Sequence, residues 1–339
     1  KMQPTATTPL SGFDTITGLD SAIFGHPKIQ LKTVPTPSMK LPKILTTTGA
    51  CTEENYTDTK TGHKGKFHHK FHLRQVHGEE DGSFYDLDYY YTPRGRRKYG
   101  RVAVLVPGDI HAEFIDKKVE KALFDGPDSI VGVLDPEVHV YHDVEDFYAR
   151  NHHHKGDDVI AYGKQHYGRN NVEEGLQTSA DFIDRWTRPN MRNYITRANH
   201  DEAFDRWLKE SDPKIDPENM KFYHYMKYNQ LDNTIRTDTG FSTFNAFEWW
   251  CNNPMDKGRY TGLVHRNQTE FLKRDDSLVF EGVYQVGVTA RLDLEYATGP
   301  SGWMHTHCII YPNGSRALIN VIGGEWRASY YDNEYNIAA

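Results

Sequence analysis

The chain has 339 residues and a formal net charge of −7, so it can bury a sizeable core, as one large domain or two, and exerts no overall attraction on nucleic acid. Its many aromatic residues (21 Tyr, 16 Phe and 6 Trp) argue against disorder. No apolar run approaches the length of a bilayer span, and no charged start precedes an apolar stretch. We therefore expect a soluble protein without a membrane partner or a secretory signal.

The cysteines are few and widely separated. Cys51, Cys251 and Cys308 form no CxxC pair, which argues against a disulfide framework and against a cysteine zinc site. This usage favours a reducing compartment and predicts a cytoplasmic location. The 18 histidines suit metal binding without proving it.

The first hundred residues are weakly patterned. Scattered Pro, Thr and Ser over residues 1–40 predict an extended arm, and residues 44–49 predict a strand that enters a turn. Residues 60–74 hold four histidines among lysines, which suits either a solvated basic loop or a surface that contacts phosphate. The alternating aromatic run 84–91 predicts an edge strand. The basic patch 94–98 beside it is either a surface turn or a site that stacks bases and neutralises phosphate.

Three strand-like runs each end in residues that bind metals. They span residues 101–111, 138–146 and 194–202, and each passes from apolar residues to carboxylates, imidazoles or an amide. In an α/β sheet, side chains at the carboxyl ends of neighbouring strands converge on one site. A single Asp after a strand is more often only a helix N-cap. The ordered set of three nevertheless predicts a metal site at the strand tips.

Helical periodicity and turn signals predict the remaining elements. Helices are expected at residues 119–124, 147–154, 170–186, 202–210, 219–228 and 244–252, and strands at 283–288, 306–311 and 316–322. Residues 312–315 (PNGS) predict a hairpin turn between the last two strands. The order predicts a layered α/β fold, with 1–100 an N-terminal arm and extension, 101–339 the core, and 283–339 its closing C-terminal strands.

Four side chains are candidate metal ligands. Asp109 and His111 point the same way on extended chain, so one ion can take both. Asp143, at the end of the middle run, is placed to bridge two ions. Asn199 offers a neutral oxygen that complements the carboxylates. Mixed His, Asp and Asn ligands fit Mn²⁺, Fe or Zn better than Mg²⁺ or Ca²⁺. Two such ions, about 3.5–4 Å apart, can activate a bridging water and stabilise the leaving oxygen of a phosphoester.

Other residues near these runs are candidates for acting on a substrate. His200 follows Asn199 and would point elsewhere in extended chain, so it is a candidate for contacting substrate or protonating a leaving group. Asp201 can hold that imidazole in one tautomer. The predicted helix 147–154 carries Arg150 and ends in three histidines, so Arg150 and His154 are candidates for binding substrate. The alternative for the histidines is a helix end where imidazoles complement the dipole.

The three runs resemble the motifs of a known superfamily. Residues 108–111 (GDIH), 142–146 (HDVED) and 198–201 (ANHD) are similar to the GDxH, GDxxD and GNHD/E motifs of calcineurin-like metallophosphoesterases. His142 and Ala198 replace family glycines, and neither change removes a ligand. The resemblance implies a four-layer αββα sandwich with a dinuclear metal centre. In it, Asp109 and His111 serve one ion, Asp143 both, Asn199 the other, and His200 the leaving group or scissile phosphate.

A narrower resemblance covers most of the chain. Residues 41–49, 67–69, 142–154, 282–287 and 306–314 look like the early DNases of T5-like phages, which belong to the same superfamily as the SbcD-type DNA repair nucleases. This resemblance implies a DNA substrate, two divalent ions with Mn²⁺ foremost, and the destruction of host DNA in the bacterial cytoplasm. The surface would allow a homo-oligomer without showing one.

The chain departs from the superfamily at the GHxH motif, which is not found before Val283, where the resemblance places it. We favour a segment missing from the sequence between residues 281 and 282, and a degenerate second metal site is an alternative. Alternatively, His305 and His307, after Met304 instead of Gly, supply the imidazoles with the correct HxH spacing.

We therefore expect a metal-dependent phosphodiesterase, foremost a DNase. The alternatives are a phosphomonoesterase acting on nucleotides or phosphoproteins, and a nucleic-acid-binding or assembly protein that has lost catalysis.

Overall fold

The structure is a computed structural model of the chain. It describes residues 2–37, 41–78, 84–90, 102–189, 191–196, 198–235, 244–253, 262–266, 278–280, 283–294, 299–311, 316–328, 330–331 and 337–338.

Helices and strands are mixed along the chain. The strands are β1 (Ala22–Phe24), β2 (Leu31–Val34), β3 (Lys43–Thr47), β4 (His72–Gly78), β5 (Phe84–Tyr90), β6 (Val104–Val106), β7 (Val138–Tyr141), β8 (Arg192–Thr196), β9 (Leu263–Arg266), β10 (Leu278–Phe280), β11 (Val283–Gln285), β12 (Thr306–Ile310), β13 (Arg316–Ile322), β14 (Glu325–Trp326), β15 (Tyr330–Tyr331) and β16 (Ile337–Ala338). The α-helices are α1 (Phe13–Ile16), α2 (Lys60–His68), α3 (Lys117–Phe124), α4 (Ile130–Leu134), α5 (Asp158–His166), α6 (Val172–Trp186), α7 (Asp201–Glu210), α8 (Met220–Ile235) and α9 (Ala246–Asn252).

The chain divides into two compact units. The first unit comprises residues 1–109, 116–137 and 270–339, and the second comprises residues 110–115 and 138–269. Among the described residues, no helix is both long enough and apolar enough to cross a membrane.

The first unit is rich in strands. One sheet has the order β1-β3-β2-β10-β11, in which β1 pairs with β3 in parallel and the other neighbours are antiparallel. A second set of antiparallel strands has the order β14-β13-β12-β6. Leu45, Leu105 and Ile309 are fully buried on these strands, so apolar burial holds both sets together. Strand β6 leads directly into Gly108 and Asp109.

The second unit contains a parallel sheet covered by helices. Strands β7, β8 and β9 are neighbours in that order, and both pairings are parallel. Helix α7 buries Ala203, Phe204, Trp207 and Leu208 at the spacing of one helical face. The rings of Phe204 and Trp207 pack on Phe222 of α8, and Phe222 meets Trp250 of α9. Because β7 and β8 run in parallel, the segments that follow them leave the same edge of the sheet.

Most of the expected elements are confirmed. Strands β3, β6, β7, β12 and β13 and helices α3, α6, α7, α8 and α9 lie where the apolar runs predict them, with ends shifted by a few residues. The architecture is mixed α/β, as expected, while the four-layer αββα sandwich and the boundaries at residues 100 and 283 stay predictions. The basic patch 94–98, the turn 312–315 and residues 281–282 lie outside the described residues.

Two expectations are wrong. Residues 147–154 do not form an α-helix but two 3₁₀ turns, Tyr148–Arg150 and His152–His154. Phe147 has a φ of 54°, which an α-helix cannot include, and the Asn151 side chain accepts a hydrogen bond from the His153 amide between the turns. Residues 60–68, expected to be a loop, form α2, whose N-cap Thr59 accepts from the Gly62 amide at 3.1 Å.

Candidate metal centre

Three ligand groups of the second unit converge beyond the ends of β7 and β8. The ligand atoms of His111, Asp146 and His200 lie within 4.8 Å of one another. His111 Nδ1 is 3.0 Å from Asp146 Oδ1, and His200 Nδ1 is 3.1 Å from the carbonyl oxygen of Asp146. The two imidazole rings meet edge to face with their centroids 4.7 Å apart. Asp146 therefore contacts both imidazoles.

These contacts fix the tautomers of the two histidines. A carbonyl oxygen only accepts hydrogen bonds, so His200 Nδ1 carries the proton and, in the neutral ring, Nε2 carries the lone pair. The Asp146 carboxylate oxygen, 3.0 Å from His111 Nδ1, favours a proton on Nδ1 of His111 as well. Both rings are thus held with Nε2 available to bind a metal.

The backbone around the site is strained. Four described non-glycine residues have positive φ, and His111, Asp143 and Phe147 are three of them, at 41°, 44° and 54°. Such residues cost about 1–3 kcal/mol each and persist where the surroundings hold them. Here the amides of His111 and Ala112 donate to the carbonyl oxygens of Asp143 and Val144, both at 2.8 Å. Backbone strain concentrated in one loop pair is typical of a functional site.

Asp143 and Asp201 form hydrogen bonds that connect residues 142–146 with residues 198–201. Asp143 Oδ1 accepts a hydrogen bond from the His200 amide at 3.2 Å. Asp201 Oδ1 accepts from the amides of Val144 at 2.9 Å and Glu145 at 3.3 Å. Asp201 thus orders the loop that carries Asp143 and Asp146. The His200 ring is held by the backbone carbonyl of Asp146. The catalytic role expected of Asp201 stays a prediction.

Asn199 has a side-chain feature expected of a metal ligand. Its side-chain oxygen Oδ1 is buried and has no hydrogen-bond partner among the described residues. A buried amide oxygen without a partner costs about 1–3 kcal/mol, and a cation would satisfy it. Its backbone carbonyl accepts from Arg206 Nη2 at 2.9 Å, which holds the residue in place. The residues present, carboxylate, imidazole and amide oxygen, therefore fit a divalent metal.

The buried carboxylates are electrostatically crowded. Burial, reinforced by the charge of Asp143, raises the pKa of Asp201 to about 8. Burial and the neighbouring carboxylates raise the pKa of Glu145 well above its usual range, and burial and Asp146 raise that of Glu113 to about 7. Both oxygens of Glu145 are buried without a partner among the described residues. A positive ion close to these groups would relieve the repulsion.

Arg150 and His154, the residues expected to bind substrate, are engaged within the second unit. Arg150 donates to both carboxylate oxygens of Asp216, at 2.7 and 2.5 Å, and to the carbonyl of Ala149 at 2.7 Å. The His154 ring lies edge-on to the ring of Tyr148. The Arg150 guanidinium is therefore neutralised where it lies, and the substrate roles of both residues stay predictions.

The first unit carries Asp109 and the HxH pair. Asp109 is buried, and its amide and carbonyl bond to Gly287 and Thr289. The His307 ring accepts from the Gly108 amide through Nδ1 at 2.9 Å, and His305 Nδ1 donates to the carbonyl of Val288 at 3.1 Å. Within the first unit, His307 therefore contacts Gly108, the residue before Asp109.

Sequence reasoning missed two residues of the second unit. Asp146 belongs to the acidic run 142–146 but was not predicted to be a ligand. Its position three residues after Asp143 matches the second Asp of a GDxxD motif, and this was the signal that could have identified it. Arg206 carried no signal, because a single Arg on an amphipathic helix is ordinarily a solvated residue.

The fold and site define a mixed α/β protein with side chains positioned to hold a metal ion. No family model matches the chain, and no solved structure matches it. The chain is 31% identical to Protein A1 of Escherichia phage T5, over an alignment of 377 residues that covers 96% of this chain and 68% of that protein. The chain therefore belongs to the family of phage T5 Protein A1. The expected phage relationship is confirmed, whereas the metallophosphoesterase superfamily stays a prediction.

Proposed function

We propose that the protein is a metal-dependent phosphodiesterase that hydrolyses DNA. The convergence of His111, Asp146 and His200, together with the buried Asn199 Oδ1 that has no partner among the described residues, is the observation that carries the proposal. Kinship with a phage protein and the motif resemblance favour DNA as the substrate and the host bacterial cytoplasm as the location.

The proposed ligands are Asp109, His111, Asp143 and Asn199, with Asp146 orienting His111 through the bond at 3.0 Å. Two bound divalent ions, Mn²⁺ foremost with Mg²⁺, Fe or Zn as alternatives, would supply an activated water and stabilise the leaving oxygen. The imidazole of His111 is an unusual ligand for Mg²⁺, which favours Mn²⁺.

His200 is proposed to contact the scissile phosphate. Its Nδ1–H bond to the carbonyl of Asp146 leaves Nε2 as the reacting atom. Burial and the neighbouring His111 lower the pKa of His200, so the neutral ring prevails in the metal-free protein. The neutral ring can accept a proton or bind a metal, and it can protonate a leaving oxygen only after it has become doubly protonated.

His305 and His307 are proposed to supply the imidazoles that the GHxH motif provides in the superfamily. The hydrogen bond from the Gly108 amide to the His307 ring supports this proposal, because Gly108 immediately precedes the proposed ligand Asp109. A missing segment near residues 281–282, which the sequence favours, and a degenerate second site stay as alternatives.

The test is cleavage of plasmid and linear double-stranded DNA with added Mn²⁺. The wild type is compared with Asp143→Asn and with the matched control Asp158→Asn, which removes an exposed carboxylate in the first turn of α5. Metal content is measured in parallel by elemental analysis. We expect Mn²⁺-dependent cutting that Asp143→Asn reduces by at least about a hundredfold, as loss of a metal-site residue does, while Asp158→Asn retains wild-type activity.

Other outcomes would redirect the proposal. Hydrolysis of small phosphomonoesters with no cutting of DNA would point to the phosphomonoesterase. Bound metal with no turnover on either substrate would point to a binding or assembly protein. Nicking of plasmid as opposed to trimming of linear ends would define the mode of cutting.

A further inference from the structure

A cationic group without a carboxylate partner lies next to His200. Arg206 of α7 is half-buried, and its Nη2 donates to the carbonyl of Asn199 at 2.9 Å. Glu202 lies four residues earlier on α7, a spacing at which Glu and Arg ordinarily pair. Among the described residues, however, Arg206 forms no ion pair. One of its five N–H donors is used, and its positive charge is uncompensated.

Two exposed imidazoles share this region. His152 and His153 occupy the second 3₁₀ turn, and their ring centroids are 3.9 Å apart. The Asn151 side chain accepts from the His153 amide at 3.0 Å, which fixes the turn. Burial, followed by the positive charges of His153, Arg206 and His200, lowers the pKa of His152. The imidazoles and the guanidinium therefore lie close enough to repel one another when charged.

We propose that Arg206, His152 and His153 form a phosphate subsite beside His200, which takes a DNA backbone phosphate flanking the scissile one. The subsite rests on the proposed function. A guanidinium with unused donors is the side chain best suited to a phosphate, because its planar fork matches two phosphate oxygens. The exposed imidazoles of His152 and His153 offer further ring nitrogens that can donate to phosphate oxygens.

The contrast with Arg150 supports this choice. Arg150 lies in the neighbouring 3₁₀ turn, but Asp216 already neutralises it through two hydrogen bonds. Arg206 differs because, among the described residues, its one hydrogen bond goes to a neutral carbonyl. A second phosphate contact would favour a polymer over a phosphomonoester, which has one phosphate only.

The test compares Arg206→Gln with the matched control Arg192→Gln. Glutamine removes the charge but keeps an N–H donor for the Asn199 carbonyl. Arg192 is exposed at the amino end of β8, the end opposite Asn199 and His200. Binding of a short fluorescent DNA duplex is measured by anisotropy without divalent metal, across a range of salt concentrations. Thermal unfolding of each variant shows whether it folds.

We expect Arg206→Gln to lower the slope of log K against log salt by about 0.9, the value for one lost phosphate contact. At about 0.1 M salt this corresponds to roughly eightfold weaker binding. Arg192→Gln is expected to leave the slope and the cleavage rate at their wild-type values. In the metal-loaded protein, Arg206→Gln should raise the KM for DNA more than the KM for bis(p-nitrophenyl) phosphate, which carries one phosphate.

A second variant keeps the test decisive if Arg206→Gln does not fold. The double variant His152→Gln and His153→Gln changes an exposed turn, and it should weaken binding of the duplex relative to Arg192→Gln, because it removes two imidazoles that can contact phosphate oxygens. If both Arg206→Gln and this double variant bind the duplex with the slope and affinity of Arg192→Gln, the subsite alone is overturned. A wild type that cuts neither DNA nor the small diester with Mn²⁺ would instead defeat the proposed function.

Discussion

Two substitutions of Asp201 distinguish the effect of its hydrogen bonds on stability from the effect of its charge. Asp201 Oδ1 accepts from two backbone amides, those of Val144 and Glu145, while its Oδ2 is buried without a partner among the described residues. Asp201→Ala removes the acceptor, whereas Asp201→Asn keeps Oδ1 in place. Asp158→Ala serves as the control, because it removes an exposed first-turn carboxylate from α5.

The magnitude follows from the two amides. A buried amide left without an acceptor costs about 1–3 kcal/mol. The contact at 2.9 Å is a normal hydrogen bond and the one at 3.3 Å is weaker, so we expect Asp201→Ala to lower the free energy of unfolding by about 2–4 kcal/mol. Because burial raises the pKa of Asp201 to about 8, the metal-free carboxyl is mostly neutral at pH 7. Asp201→Asn should therefore cost less than about 1 kcal/mol, and Asp158→Ala about 0.5 kcal/mol from the helix dipole.

The assay is urea unfolding with a chelator at pH 7, followed by the fluorescence of the chain's tryptophans. Trp207 and Trp250 are buried in the same unit as Asp201 and report on its unfolding. Equal destabilisation by Asp201→Asn and Asp201→Ala would refute the reasoning, because it would mean that the carboxylate charge orders the loop.

Two further substitutions test the electrostatics of the second unit. Burial alone would raise the pKa of Asp216, but hydrogen bonds from Arg150 and Asn219 hold it below its usual value. The stability that ionised Asp216 contributes to the folded state is therefore present above about pH 4 and is lost as the pH falls further. Asp216→Asn should lower the free energy of unfolding by about 1.5–3 kcal/mol at pH 7 and by much less near pH 3, as measured by urea unfolding. Burial raises the pKa of Asp205 to about 6, so the folded state binds its proton more tightly and stability falls as the pH rises from about 4 to 6. The free energy of unfolding of Asp205→Asn should therefore rise relative to that of the wild type between pH 4 and pH 7 in the same assay. A difference between the two proteins that does not change with pH would contradict the raised pKa of Asp205.

Much of the fold is encoded in local sequence patterns. The apolar runs that predict β6, β7 and β13, and the helical spacing that predicts α6 and α7, lie within single segments, so no distant residue is needed to read them. The short strands β1 and β2 were missed, because three or four residues give too little periodicity. Residues 147–154 were misread because the periodicity carries no sign that Phe147 adopts a positive φ.

The sequence by itself determined which residues could bind a metal, because the order of strand, turn and ligand is local and repeats along the chain. Only the tertiary structure decided their partners. Asp146 meets His111 and His200 across 35 and 54 positions of sequence, and the HxH pair meets the GDxH motif across almost two hundred. In the folded chain Asp216 pairs with Arg150, whereas Arg206 donates to the carbonyl of Asn199 and has no carboxylate partner among the described residues. These pairings depend on strand order, loop strain and the competition of neighbouring groups for each donor, and none of those is written in the spacing of residues along one segment.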